Sequence, residues 1–243
     1  MWKKLWKNRI YLFLIILILF LLVGYVCYQD RDTFLKQENG NVETHFKDKT
    51  SEIDTNSDKV EKLRREYQND DIIGNLSIAG TGIDEAILQS GDNDYYLNHD
   101  NYGNYDKYGS IFLDYRCHKN SKKLLIFGHS SIRIDTPFNN LEKYYEEDYY
   151  KNHLYIDVVI DDEVRKYLIF SVYIETSDFT YMNLNISDEV YLENLKDYKK
   201  KSFYDTGVDV YPSDEILILQ TCSNHKDYVK YKDKYLLIIA KKI

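Results

Sequence analysis

A chain of 243 residues, 44% hydrophobic and 30% charged, is long enough to bury one core of roughly 150–200 residues and too apolar to stay unfolded. Residues 1–29 carry four basic groups and no acidic one, which leaves 28 basic and 40 acidic groups, a net of −12, in the remainder. So acidic a body excludes nucleic acid as a partner, because that interaction needs a basic face.

The chain opens with Lys3, Lys4, Lys7 and Arg9, a basic tail over 1–9. Ile10 to Tyr28 then run for 19 residues without a charge. As a helix this run spans roughly 28 Å, about the thickness of a bilayer core. With no small-x-small cleavage site after it, 10–28 is expected to be a retained transmembrane anchor. The basic flank keeps the N-terminus in the cytoplasm, and everything after the anchor is exported. Residues 29–56 are polar and form a tether. Val60, Leu63 and Tyr67 have helical spacing behind a cap at Ser57 or Asp58, so the folded domain is set at 57–243 and begins with a helix.

Strands are expected at Ile72–Ile78 and, after the Ala79-Gly80-Thr81-Gly82 turn, at Ile83–Leu88. Asp92 to His99 reads as a short helix or turn. Ser110–Asp114 and Lys123–Phe127 read as the third and fourth strands. Phe138 to Tyr150 has helical spacing. Leu154–Ile160 and Val164–Ile174 form a strand pair joined by a turn at Asp161-Asp162-Glu163. Ser187 or Asp188 caps a helix to about Lys201, with Val190, Leu192 and Leu195 on it. Ile216 to Leu219 begin a strand buried on both faces, and Tyr235–Ala240 is a last buried strand. About eight strands with few helices predict a mainly β fold, a closed mixed barrel with peripheral helices. The 25 tyrosines are expected at strand and groove positions with one wet edge.

Two of the buried strands end on chemistry. Ile216-Leu217-Ile218-Leu219-Gln220-Thr221-Cys222 delivers a thiol from a rigid element, and Leu124-Leu125-Ile126-Phe127-Gly128-His129 delivers an imidazole. A thiol nucleophile needs a base, since the thiolate is the reactive form. Histidine takes up and releases protons near neutrality. Cys222 and His129 are therefore the candidate couple, with His225 as a rival base. Cys27, Cys117 and Cys222 are too few and too widely spaced for a disulfide scaffold, although a Cys117–Cys222 bridge remains an alternative. Cys117-His118 lacks the Cys-x-x-Cys or His-x-x-x-His spacing of a metal site, so no metal is expected.

Leu219-Gln220-Thr221-Cys222 resembles the Leu-x-Thr-Cys signature of sortases, and Phe127-Gly128-His129 is similar to their histidine motif. Ile83-Asp84, Asp92 to Asp100, Gly109 to Tyr115 and the helix before the cysteine strand resemble class B members. Together these cover about residues 60–243. The resemblance implies an eight-stranded barrel and a cofactor-free cysteine transpeptidase. In such an enzyme Cys222 attacks the carbonyl after a threonine in the C-terminal sorting signal of a secreted protein. His129 gives a proton to the leaving amine and later takes one from the incoming amine of a peptidoglycan precursor. Thr221 shapes the groove. The family's arginine at the start of the last strand is missing here: Tyr235 takes its position and Lys234 precedes it. Lys230, Lys232 and Arg133, the last on the loop after His129, are further candidates to contact substrate. Asn224 stands where some class B members carry an acid. A pilin-polymerising or hydrolytic sortase, or a catalytically inactive peptide-binding module tethered to the membrane, are the alternatives.

Overall fold

The computed structural model describes residues 59–131, 133–160 and 163–243. In chain order it holds helix α1 (59–67), strands β1 (Ile72–Ile78), β2 (Ile83–Leu88), β3 (Phe112–Leu113) and β4 (Lys123–Phe127), and helix α2 (Glu147–Asn152). Strands β5 (Tyr155–Ile160) and β6 (Glu163–Glu175), helix α3 (Asp188–Lys201), and strands β7 (Ile216–Cys222) and β8 (Tyr235–Lys242) follow. The expected anchor at 10–28, the tether and the start of the domain at 57 lie outside the described residues, as do Asp161 and Asp162. Among the described residues no helix is long and apolar enough to cross a membrane.

The eight strands close into a barrel in the order β1-β2-β3-β4-β7-β8-β6-β5. Two neighbouring pairs, β2 with β3 and β4 with β7, are parallel, and the others are antiparallel. The sequence explains which strands are central. Ile216 to Leu219 in β7 and Leu236 to Ala240 in β8 are all buried, which suits strands covered on both faces. Their ladder runs in unbroken register from Ile216↔Lys241 to Cys222↔Tyr235.

Several expectations change in detail. The third strand shrinks to Phe112–Leu113, because Ser110 N–H turns away to the Tyr96 carbonyl at 3.0 Å. The helical run from Phe138 splits into a 3-10 helix (Asn139–Tyr145) and α2, with Glu146 extended between them. The buried residues Phe138, Leu141 and Tyr144 recur every three positions, the period of a 3-10 helix rather than of an α-helix. In α3 the Ser187 hydroxyl caps the start at Val190 N–H, as expected. Its buried face is Tyr191, Leu195 and Tyr198, while Val190 is exposed. The tyrosines also depart from the wet-edge expectation. Tyr96, Tyr144, Tyr167, Tyr173 and Tyr181 are almost wholly buried. Most of their hydroxyls find internal partners: Tyr96 donates to Asp71 at 2.7 Å and Tyr144 to the His153 carbonyl at 2.8 Å.

Candidate active site

Strands β4 and β7 pair in parallel from Lys123↔Ile216 to Phe127↔Gln220, and one further bond runs from Gly128 N–H to the Gln220 carbonyl at 3.1 Å. His129 and Cys222 each stand two residues past the last matched pair. Neighbouring strands lie ~4.8 Å apart and side chains alternate with a period of two. Two residues in equivalent places at the ends of adjacent parallel strands are thereby brought to one rim. Both line the same open cleft of about 300 Å³. Gly128 lets the Phe138 ring pack close against the backbone, since a Cβ there would meet that ring at 2.7 Å.

The cleft is also walled by Asn93 and Asp94, by Leu97 at the end of a 3-10 helix (Tyr95–Leu97), by Met182, and by Gln220, Thr221 and Tyr235. Leu97 has a second role. Its carbonyl lies 2.9 Å from His129 Nε2. A carbonyl only accepts, so Nε2 carries the proton and Nδ1 is left as the basic nitrogen. The Leu97 loop is held in turn by Gly109 at φ 54°, a left-handed position where a Cβ would collide with the Tyr96 carbonyl.

Cys222 is exposed at the cleft, and Cys117 is buried with its Sγ 3.4 Å from the Lys123 carbonyl. Both thiols are free, so the alternative of a bridge is set aside. Burial pushes the Cys117 thiol up to about 11. The walls of the cleft push the Cys222 thiol above its ordinary range through desolvation; the Lys234 charge draws it down and Glu142 adds to the rise. At rest Cys222 is a neutral thiol that needs a base.

Tyr235 lies directly across the β7–β8 ladder from Cys222, and directly opposed residues point to the same face. Its ring stands edge-on to Phe179 at 5.8 Å, and its hydroxyl makes no hydrogen bond among the described residues. Lys234, one residue back, is outside the cleft wall and reaches the Tyr231 carbonyl at 3.4 Å. Thr221 is buried in the wall with its hydroxyl unpartnered among the described residues. Arg133 is exposed and is not part of the wall. His225 is also absent from the wall; it packs edge-on to Tyr145 at 4.7 Å and accepts from Asp227 N–H. Arg165, the last arginine in the chain, is buried against Glu163 and Glu215 at the opposite end of β7 from Cys222. Among the described residues no group of three or more His, Cys, Asp or Glu gathers to hold a metal.

Sortase B of Listeria monocytogenes is 38% identical over 168 residues, which cover 67% of each chain. The chain belongs to class B of the sortase family. Sortases are cysteine transpeptidases, and this sortase presents the thiol and imidazole that such an enzyme needs. Clostridium perfringens sortase B, solved in a cysteine-to-serine mutant form, superposes with a TM-score of 0.70 at 26% identity, covering 80% of this chain and 90% of the other. A Staphylococcus aureus sortase B–substrate complex gives a TM-score of 0.67 at 29% identity, covering 76% and 84%. No family model matches.

Sequence reasoning missed the Leu97 carbonyl, Gln220 and Met182. A backbone acceptor leaves no mark on residue type. Gln220 occupies the variable place of the cysteine motif, yet its side chain accepts from the buried Tyr181 hydroxyl at 2.7 Å.

Proposed function

We propose that this sortase is a single-pass membrane protein with residues 1–9 in the cytoplasm, an anchor at 10–28, a tether at 29–56 and an extracellular catalytic domain over 57–243. Its substrates are secreted proteins with a C-terminal sorting signal, and its acceptor is an amine of the peptidoglycan precursor. Tethering raises the effective concentration of enzyme where both arrive.

His129 Nδ1 takes the thiol proton, and the Cys222 thiolate attacks the carbonyl carbon after the threonine. The tetrahedral intermediate collapses, the C–N bond breaks, and the imidazolium gives its proton to the leaving amine. A thioester remains on Cys222. The acceptor amine adds to it and loses a proton to His129; the C–S bond breaks and the thiol is regenerated. Tyr235 donates a hydrogen bond to the oxyanion, the place of the family's arginine. Thr221 lines the track of the sorting peptide.

The observation that carries this reading is the parallel β4–β7 register, which aligns His129 with Cys222 at one rim. Among the solved neighbours, the S. aureus substrate complex supports a peptide donor, and a sortase B complexed with triglycine supports an oligoglycine amine as acceptor. The test is mass spectrometry after exposure to candidate sorting peptides with and without triglycine. We expect an acyl adduct on Cys222, discharged as a triglycine conjugate and absent in Cys222→Ala. Peptide that binds without an adduct or turnover would instead identify an inactive binding module.

A further inference from the structure

Past the Gly128–Gln220 bond, β4 and β7 part company. The β4 chain leaves as a loop through His129, Ser130 and Ser131, while β7 runs on with β8 through Cys222 and Ser223. The strand ladder that aligns the two reactive side chains therefore stops just before both of them. The 3-10 helix Asn139–Tyr145 bridges this gap. Glu142 Oε1 accepts from three donors: Ser130 Oγ at 3.2 Å, Asn224 N–H at 2.9 Å and Asn224 Nδ2 at 2.7 Å. Asn224 Nδ2 also reaches Ser130 Oγ at 3.5 Å. One carboxylate oxygen thus holds the residue after His129 and the second residue after Cys222.

The rest of the same helix reinforces the join. Asn139 Oδ1 accepts from Ser131 N–H at 2.6 Å, and Phe138 N–H donates to the His129 carbonyl at 3.2 Å. The Tyr145 and Ser223 hydroxyls lie 3.0 Å apart. Of the two segments, Asn139 and Phe138 hydrogen-bond to the histidine one, and Tyr145 to the cysteine one. Glu142 alone among them holds both.

The geometry points to Glu142 as a positioning residue that fixes the spacing of His129 and Cys222 by binding Ser130 and Asn224 with one oxygen. This rests on the transpeptidase reading for its effect on rate, but not for its effect on the two loops. Proton transfer between the couple depends on separation and angle, and a misplacement of about 1 Å can cost about 10²-fold. The join depends on the reach of one acceptor oxygen to donors in both segments.

The test compares Glu142→Ala, Glu142→Asp and Glu142→Gln in the full-length chain. Glutamine keeps an acceptor oxygen at the same reach without the charge. Aspartate keeps the charge but falls short by one methylene. We expect Ala and Asp to lose about 10- to 100-fold in kcat with a near-constant KM, and Gln to stay within about threefold of wild type. Amide hydrogen exchange over 129–131 and 222–225 should rise in Ala and Asp and not in Gln. Should Ala fail to fold, the contrast of Asp with Gln decides the matter. Wild-type kcat in Asp, a change confined to KM, or Gln falling as far as Asp would each overturn the inference. A wild-type chain that never acylates Cys222 would sink the transpeptidase reading instead, and the exchange data would then judge the clamp alone.

Discussion

At residue scale, the oxyanion donor proposed above is a neutral side chain, where the resemblance implies an arginine. A phenol at position 235 supplies one neutral donor where a guanidinium would supply a fixed charge and a fork of donors. Removing an oxyanion donor costs about 10²-fold in kcat, so Tyr235→Phe should lose roughly that much at near-constant KM. Steady-state cleavage of a fluorogenic sorting peptide measures it; an unchanged kcat would remove Tyr235 from the oxyanion site. The cation that acts on Cys222 is Lys234, from outside the wall. Because desolvation raises the thiol, its alkylation by iodoacetamide should accelerate with pH towards an inflection above the ordinary thiol value of 9.0. Lys234→Gln takes away a charge that favours thiolate and should move that inflection further up. Glu142→Gln takes away one that opposes it and should move it down. Shifts of the opposite sign would refute this account of the cleft.

At the scale of elements, the strands that carry chemistry were legible because they are runs of Leu and Ile that stop abruptly. Lys123–Phe127 and the start at Ile216 match their sequence-derived limits. Elements whose limits depend on distant partners were less legible. Ser110 looks like a strand residue until Tyr96 takes its N–H, and Phe138–Tyr144 looks α-helical until its three-residue period is counted. The couple itself could be read from two motifs. What holds it could not, because the Leu97 carbonyl is backbone and Glu142 is one of several acidic residues in its segment. Gly128 joins both kinds of information. Since a Cβ would run into the Phe138 ring, Gly128→Ala should cost about 1–3 kcal/mol through overpacking. Phe138→Leu in the same chain should recover part of that loss. Denaturant unfolding of the two single variants and the double variant checks this, and strict additivity would mean that the two residues do not clash.

At the scale of the whole molecule, the described domain buries many of its phenols. Desolvation raises the tyrosine hydroxyls at 96, 144, 173, 181, 191 and 198 above their ordinary 10.0. An acid whose folded pKa is raised contributes stability that is complete below its unfolded value and is lost as pH climbs through the shifted one. The fold should therefore hold its melting temperature up to about pH 10 and lose it steeply beyond, with tyrosinate absorbance and circular dichroism changing together. Tyrosinate forming well before the circular dichroism changes would show that these rings are more accessible than the structure has them. The parallel contact between β4 and β7 has another consequence. Because the barrel seam brings both reactive segments to one rim, only the residues past the ladder can shift against each other, whereas the side chains of Asp94, Leu97 and Met182 can be exchanged without touching the Leu97 carbonyl that holds His129. Exchanging those wall side chains is thus a route to new peptide selectivity that leaves the backbone of the reaction centre alone.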